Sequence, residues 1–277
     1  MAEIKAYAKI NLFLDIIGKL DNGYHSLFMV MQSIDLADDV IIEKSDKINL
    51  KCSEKSIPCN EKNTAYKAAK EFFAYTGISG GADIEIIKKI PHEAGLAGGS
   101  ADAAAVIKGL NEIYGTNLTV FEMCEIGLKV GSDVPFCIVG GTCLSQNTGG
   151  VLSPLKKLKD CTIVLVKPDR GVSTPQAYAD ADSTYIYHPD CIRMLDECEK
   201  GNFEGICKYA GNVFEQVVEV PERVEIKRIM RDNNASLTQM SGSGPTVFGL
   251  FENETDAVKA AEELKKQFDK VFVTKPV

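Results

Sequence analysis

Four short stretches of this 277-residue sequence carry side chains that could do chemistry together. Lys9 and Asn11 stand two residues apart in a run that alternates between apolar and other positions. The run Pro91-His92-Glu93-Ala94-Gly95-Leu96-Ala97-Gly98-Gly99-Ser100-Ala101 is rich in glycine and opens a helical pattern. Asp133 lies in Gly131-Ser132-Asp133-Val134-Pro135, and Met240-Ser241-Gly242-Ser243-Gly244-Pro245-Thr246 is a second glycine-rich turn. Glycine lets a ligand come close to the main chain. The first amides of a helix have no partner inside it, and the macrodipole adds positive charge there. A glycine-rich loop feeding a helix is therefore a cradle for phosphate. A nearby lysine can neutralise charge that develops during transfer, and a carboxylate can take a proton from an attacking hydroxyl.

Each stretch alone has a plainer reading. A tight strand-to-helix turn also uses small residues, Lys9 and Asn11 could face solvent, and an Asp before a proline often hydrogen-bonds its own backbone. No G-K-[ST] follows the glycines, so this is not a Walker A loop, and it is not the G-x-G-x-x-G of a dinucleotide fold. The case rests on the set and on the elements that place it.

Ile4, Ala6, Ala8, Ile10, Leu12, Leu14 and Ile16 share one face of a period-two run, which predicts a half-buried strand with Lys9 and Asn11 on its other face. Asp21-Asn22-Gly23 is a turn signal, leaving Tyr24 and His25 at a loop exit. Strand-like runs follow at 40–43 and 48–52. Asn63 or Thr64 can cap a helix through Tyr75 that Gly77 closes. A strand over 83–87 enters the glycine run, and a helix from Ala101 to about Tyr114 leaves it. Thr119-x-x-Glu122 reads as a capping box for a helix ending near Val130, with Gly131 at C′ and Asp133 just past the helix C-terminus. Residues 147–150 form a turn. A buried-type strand over 161–166 leads to Thr174-Pro175, which can start a helix carrying Tyr178. Residues 185–220 are mixed helical segments whose limits the pattern does not separate. From 221 onward the order is helix, strand, strand, helix, strand, an α+β arrangement with helices on one face of an antiparallel sheet.

The net charge of −8 argues against non-specific nucleic-acid binding, which needs a basic face. Nine cysteines occur with no C-x-x-C pair, the first residues lack a signal-peptide pattern, and no apolar run approaches membrane-spanning length. Reduced thiols and a cytoplasmic location are expected. The three histidines, His25, His92 and His188, are far apart and show no metal-ligand spacing.

In this order and spacing the four stretches resemble the GHMP kinase superfamily. The resemblance narrows through A-K-I-N-L-F-L at 8–14, D-N-G-Y-H at 21–25, A-G-L-A-G-G-S-A-D-A-A-A at 94–105, G-S-D-V-P-F at 131–136 and M-S-G-S-G-P-T-V-F at 240–248. These runs look like the branch that uses ATP to phosphorylate the 2-hydroxyl of a cytidylyl methylerythritol in making isoprenoid precursors. The resemblance implies an α+β fold with two lobes, a ribosomal protein S5 domain 2-like N-terminal half and a ferredoxin-like C-terminal half. The charged stretch 156–160 is the candidate boundary, giving an ATP-binding half over residues 1–155 and a C-terminal half over 156–277, although it could equally be a solvated loop inside one domain.

It further implies that Pro91 through Ala101 hold the ATP phosphates, with Ser100 near Mg2+ and Lys88 on the adenosine side. Asp133 would be the base, with Lys9 close to it and to the transferred group. Asn11 would hold substrate oxygens. Tyr24 and Tyr178 would flank the cytosine, with His25 on its polar edge, and Thr174, Ser241 and Gly242 would line the substrate cleft. A monomer or weak homodimer is implied. This sequence departs from the pattern at Ala101, where many relatives have serine, and at Glu93 and Ala97, where others have glycine. Glu93 beside a triphosphate would be repulsive, so it should turn to solvent or join the Mg2+ ligands. Two rivals differ in class. A sister kinase acting on homoserine, mevalonate or a sugar has no use for Tyr24-His25. A non-catalytic nucleotide-binding relative would lack the acid or the loop glycines.

Overall fold

The computed structural model describes residues 1–21 and 23–277. Asn22, the middle of the turn signal, lies outside the described residues. The chain forms two compact units. The first is Met1–Ala8, Leu36–His92 and Ala97–Gly140, and the second is Lys9–Asp35, Glu93–Leu96 and Gly141–Val277. Two long strands, β1 (Ala2–Lys19) and β2 (His25–Ser45), contribute residues to both.

The first unit then adds β3 (Asn49–Cys52), α1 (Thr64–Thr76), β4 (Gly81–Ile87), α2 (Gly98–Tyr114), α3 (Val120–Val130) and α4 (Val134–Val139). The far end of β2 runs antiparallel to β4, with Ile41 opposite Glu85, and β4 pairs in parallel with β3. Asn63 starts α1 by accepting from the Ala65 amide, and Gly77 closes it at φ 67°. Ala65, Ala68, Ala69 and Phe72 form the buried face of α1, beside the alanine-rich start of α2. Small residues allow that close approach. The capping box of α3 is present, with the Thr119 and Glu122 side chains each accepting from the other's backbone amide.

Three expectations are corrected here. Helix α2 starts at Gly98 rather than Ala101, so Gly98, Gly99 and Ser100 are its first turn. Gly131 is extended, at φ −179°, rather than left-handed. The chain therefore passes straight into α4, with Asp133 as its N-cap residue. Asp133 heads one helix as well as following another, so two helix ends of opposite sign flank it. A six-residue helix containing a proline leaves too weak a periodic pattern to read.

The second unit comprises β5 (Thr142–Asn147), β6 (Val151–Pro154), β7 (Thr162–Val166), α5 (Thr174–Ser183), α6 (Cys191–Lys200), α7 (Phe203–Tyr209), β8 (Gly211–Asn212), a 3-10 turn at Val213–Gln216, α8 (Glu222–Asp232), β9 (Leu237–Met240), β10 (Val247–Phe251), α9 (Glu254–Leu264) and β11 (Val271–Thr274). The near end of β2 pairs antiparallel with β5, β5 makes a hairpin with β6, and β1 pairs in parallel with β8. A second sheet, β11-β7-β10-β9, is antiparallel throughout. Counting its strands along the chain gives the order 4-1-3-2, with α8 and α9 as connections, which is the ferredoxin-like arrangement. Val164, Val166, Val247 and Phe251 meet Ile226, Ile229 and Met230 of α8 and the alanines of α9 in one core.

The alternation in β1 holds only to Ala8. Every residue from Ala8 to Asp15 is buried, including Lys9, Asn11 and Asp15. Lys9 and Asn11 are therefore not solvent-facing. Strand β2 was not expected before residue 40, because Leu27 to Met31 are buried on both faces and give no period-two signal.

Candidate active site

In the second unit three segments converge on Lys9 and Asn11. Lys9 is 4% exposed, and its ammonium donates to the Asn11 Oδ1 at 2.7 Å and to the Gly95 carbonyl at 3.3 Å. The Lys9 amide donates to the Leu96 carbonyl at 3.1 Å, which fixes the 93–96 segment along β1. Ser241 donates its hydroxyl to the Gly95 carbonyl at 2.9 Å and accepts from the Asn11 amide at 3.3 Å. Gln239 donates to the carbonyls of Asn11 and Leu12, and Asn212 donates to those of Met240 and Gly242. A buried ammonium is tolerated only when hydrogen-bonded, so this network is what allows Lys9 to sit there. Lys9, Asn11, Gly95, Ser241 and Gly242, all expected from the sequence, are thus brought together.

Beside them is a cleft of about 490 Å³ whose lining includes Glu93, Gly95, Thr174, Ser243 and Gly244. The Thr174 and Ser243 hydroxyls are 2.9 Å apart. Glu93 adopts φ 50°, and its carboxylate lies where a side chain on Gly171 would stand. At the other end of α5, the His25 and Tyr178 rings stack at 4.6 Å and 15°, and Phe214 meets Tyr178 edge-on at 5.1 Å. His25 Nε2 is 2.7 Å from Asp182, which also pairs with Lys19 at 2.6 Å. Hydrogen bonds from Lys19 and then His25 hold the Asp182 carboxyl below the usual carboxylate range. Tyr24 is exposed.

Sequence reasoning missed Asp182, Ser243 and Asn212. Asp182 lies four residues after Tyr178 on one helix, a spacing that could have flagged it. Ser243 sits inside the glycine turn already singled out, whereas Asn212 carried no signal.

In the first unit, Ala97 takes the N-cap position of α2 in a left-handed conformation, with no side-chain cap on the helix amides. That suits a helix mouth meant for an anion. Pro91 and Ser100 are half-buried, His92 and Gly99 exposed, and Ala101 buried. Thr64 donates to the Gly99 carbonyl at 2.6 Å. Asp133 is half-buried and caps no amide of α4 with its side chain. Lys108 of α2 donates to the Cys137 carbonyl in the last turn of α4 at 3.1 Å.

Below the helix mouth is a buried charge cluster. The Lys88 ammonium lies 2.5 Å from Asp38 and 2.7 Å from Asp102. Burial pushes the Asp102 carboxyl up to about 7, and the Asp38 charge adds to this while Lys88 opposes it. Lys88 is raised: burial alone would lower it, but Asp102 and Asp38 together outweigh burial. Asp102 Oδ1 is buried without a hydrogen-bond partner among the described residues.

An Asp raised on folding binds its proton more tightly in the native state, so stability falls as pH rises from about 4 to about 7. Asp102→Asn removes that penalty and leaves the Lys88–Asp38 pair. The variant is expected to melt above the wild type at pH 8, by about 2 °C or more, with the gain shrinking toward pH 4. Calorimetric scans at both pH values check this, and equal shifts at both would refute the cause.

Magnesium commonly takes one or two protein oxygens and completes its shell with phosphates and water. Ser100 in the first turn of α2 can supply such an oxygen, and among the described residues there is no cluster of three His, Cys, Asp or Glu that could hold a metal. Among the described residues, no helix is long and apolar enough to cross a membrane.

Two family models match the chain. These are "GHMP kinases N terminal domain" over residues 63–141 and "GHMP kinases C terminal" over 194–270. The chain is 45% identical to the 4-diphosphocytidyl-2-C-methyl-D-erythritol kinase of Clostridium botulinum, covering 99% of this chain and 100% of that one. It is also 45% identical to the enzyme of the same name from Caldicellulosiruptor bescii, covering 98% and 97%. Among solved structures, a 4-(cytidine 5'-diphospho)-2C-methyl-D-erythritol kinase superposes with a TM-score of 0.78 at 29% identity over 99% of both chains. The mevalonate kinase of Methanococcus jannaschii, at 18% identity and a TM-score of 0.76, shares the fold. The chain belongs to the 4-diphosphocytidyl-2-C-methyl-D-erythritol kinase family of the GHMP kinases.

Proposed function

We propose that the protein transfers the γ-phosphoryl group of ATP to the 2-hydroxyl of 4-diphosphocytidyl-2-C-methyl-D-erythritol, on the non-mevalonate route to isoprenoid precursors. The observation that carries this reading is full-length identity of 45% to enzymes of that name. The division into an ATP-binding half, 1–155, and a C-terminal half, 156–277, belongs to the same proposal, as do a cytoplasmic location and a monomer or weak homodimer.

Phosphoryl transfer asks for positioning and charge neutralisation rather than covalent chemistry. The amides from Gly95 to Ala101 hold the ATP phosphates, aided by a first turn of α2 that no side chain caps. Ser100 would be the residue to hold Mg2+, which would supply charge neutralisation when bound. Asp133 takes the proton of the attacking hydroxyl. Lys9, oriented by Asn11 and the Gly95 carbonyl, stabilises the charge that develops on the transferred group. Asn11, Ser241 and Gly242 meet substrate oxygens, and Thr174 does so with Ser243 beside it.

Tyr24 and Tyr178 hold the cytosine, with His25 at its polar edge. Tyr178→Ala is therefore expected to raise KM for the cytidylyl alcohol by roughly tenfold or more while KM for ATP stays near normal. Steady-state kinetics with each substrate varied in turn would show it, and equal effects on both would remove the stacking role. The function itself is tested by offering ATP with the cytidylyl alcohol, mevalonate or homoserine and following new phosphate esters by phosphorus NMR. Transfer to mevalonate or homoserine in preference to the cytidylyl alcohol would overturn it.

A further inference from the structure

Lys88 follows β4 directly and is expected from the sequence to serve the adenosine side of ATP, yet its ammonium is turned inward. The side chain is 9% exposed and lies between Asp38 Oδ2 and Asp102 Oδ2. The other oxygen of Asp38 accepts the backbone amides of Lys89 and Ile90, the latter at 2.8 Å. Asp38 thus fixes the chain where it leaves β4. Asp102 is the fifth residue of α2, so its link to Lys88 joins the entry of the glycine run to its exit. Gly98 sits against this tie. A side chain there would stand 3.4 Å from the Lys88 ammonium and 3.1 Å from Ile90. Thr64 makes a second tie by donating to the Gly99 carbonyl.

We propose that Lys88 is a positioning residue, which through Asp38 and Asp102 holds the two ends of the phosphate loop at a fixed separation. The proposal rests on the kinase reading given above. Its physical basis is the cost of ordering a loop. A glycine-rich segment has many conformations to lose, and tying its ends removes part of that loss before the ligand arrives. The amides of α2 then meet the phosphates already oriented. A purely structural role does not call for this arrangement, because apolar side chains of similar volume stabilise a core as well as or better than buried ions. One ammonium held between two carboxylates gives a defined geometry instead.

Three properties separate this from direct contact with adenosine. A tether acts through both partners, so Asp102 matters as much as Lys88. Loss of either exhausts the effect, so the two changes do not add. An amide in place of Asp102 still offers Lys88 an oxygen, so it preserves the tie.

The test is steady-state kinetics on the full chain with Lys88→Met, Asp102→Ala, their double variant and Asp102→Asn. Lys88→Met and Asp102→Ala are each expected to raise KM for ATP by roughly tenfold or more, with kcat within about twofold and KM for the alcohol unchanged. The double variant is expected to be no worse than the worse single change, and Asp102→Asn to stay near the wild type. Where Lys88→Met melts too low to assay, Lys88→Arg takes its place and is expected to keep the wild-type KM alongside Asp102→Asn. A wild-type KM for ATP in Asp102→Ala, or additive effects in the double variant, would overturn the tether. A wild-type chain that neither binds nor consumes ATP would overturn the kinase reading, and the tether with it.

Discussion

Asp133→Asn is expected to fold as the wild type does and to lose turnover by roughly 10²–10⁴, the usual worth of a positioned general base. Folding should survive because the Asp133 side chain caps no amide of α4. The helix is held instead by Val134, Pro135, Phe136 and Ile138, all buried, and by Lys108 on its last turn. Asparagine has the same shape but cannot accept the hydroxyl proton at neutral pH. The loss should therefore fall on kcat, with KM for ATP and for the cytidylyl alcohol within a few-fold, the signature of an interaction made only in the transition state. Rapid-quench measurement of a single turnover separates chemistry from product release, and the deficit should appear in the chemical step. Turnover within tenfold of the wild type in a correctly folded variant would show that the proton leaves by another route.

What the sequence revealed and what it hid follow from the same physics. Capping residues act locally, so Asn63, Gly77 and the Thr119–Glu122 box placed α1 and α3 to within a residue or so. Periodicity reports burial of one face, so it read the first half of β1 and failed beyond Ala8, where both faces are covered. The same loss of contrast hid the first half of β2. The glycine runs and Asp133 were legible as residue types, and within the second unit Lys9, Asn11, Gly95 and Ser241 lie in one hydrogen-bonded cluster. The inward turn of Lys88 was not legible, because its partners Asp38 and Asp102 lie 50 and 14 residues away. Long-range charge pairing leaves no mark in a local pattern. The one signal that could have found Asp102 is its standing as a lone charge in an alanine-rich helix start, because a charge buried there needs a partner.

Gly95→Ala is expected to damage both stability and catalysis, and it ties the second unit's network to function more directly than any charge removal. Gly95 adopts φ 73°, where a side chain costs about 1–2 kcal/mol. Its backbone is also hemmed in. A Cβ would run into the Ser241 carbonyl oxygen and stand 3.0 Å from that of Gly244. Neither neighbour can swing aside, because both are main-chain atoms of a turn buttressed by Asn212. The 93–96 segment must then shift, and the Gly95 carbonyl that accepts from Lys9 and Ser241 shifts with it. A displacement near 1 Å at a positioning group can cost about 10² in rate, so kcat/KM should fall by that order. Gly115→Ala separates strain from site. Gly115 has a similar φ of 67°, but nothing lies within 4 Å of a Cβ there. That change should cost about 1 kcal/mol of stability and leave kcat/KM near normal. Thermal melts and kinetics on the two variants side by side decide the matter. If Gly95→Ala matched Gly115→Ala in both measurements, the contact between Gly95 and the Ser241 turn would have no part in catalysis.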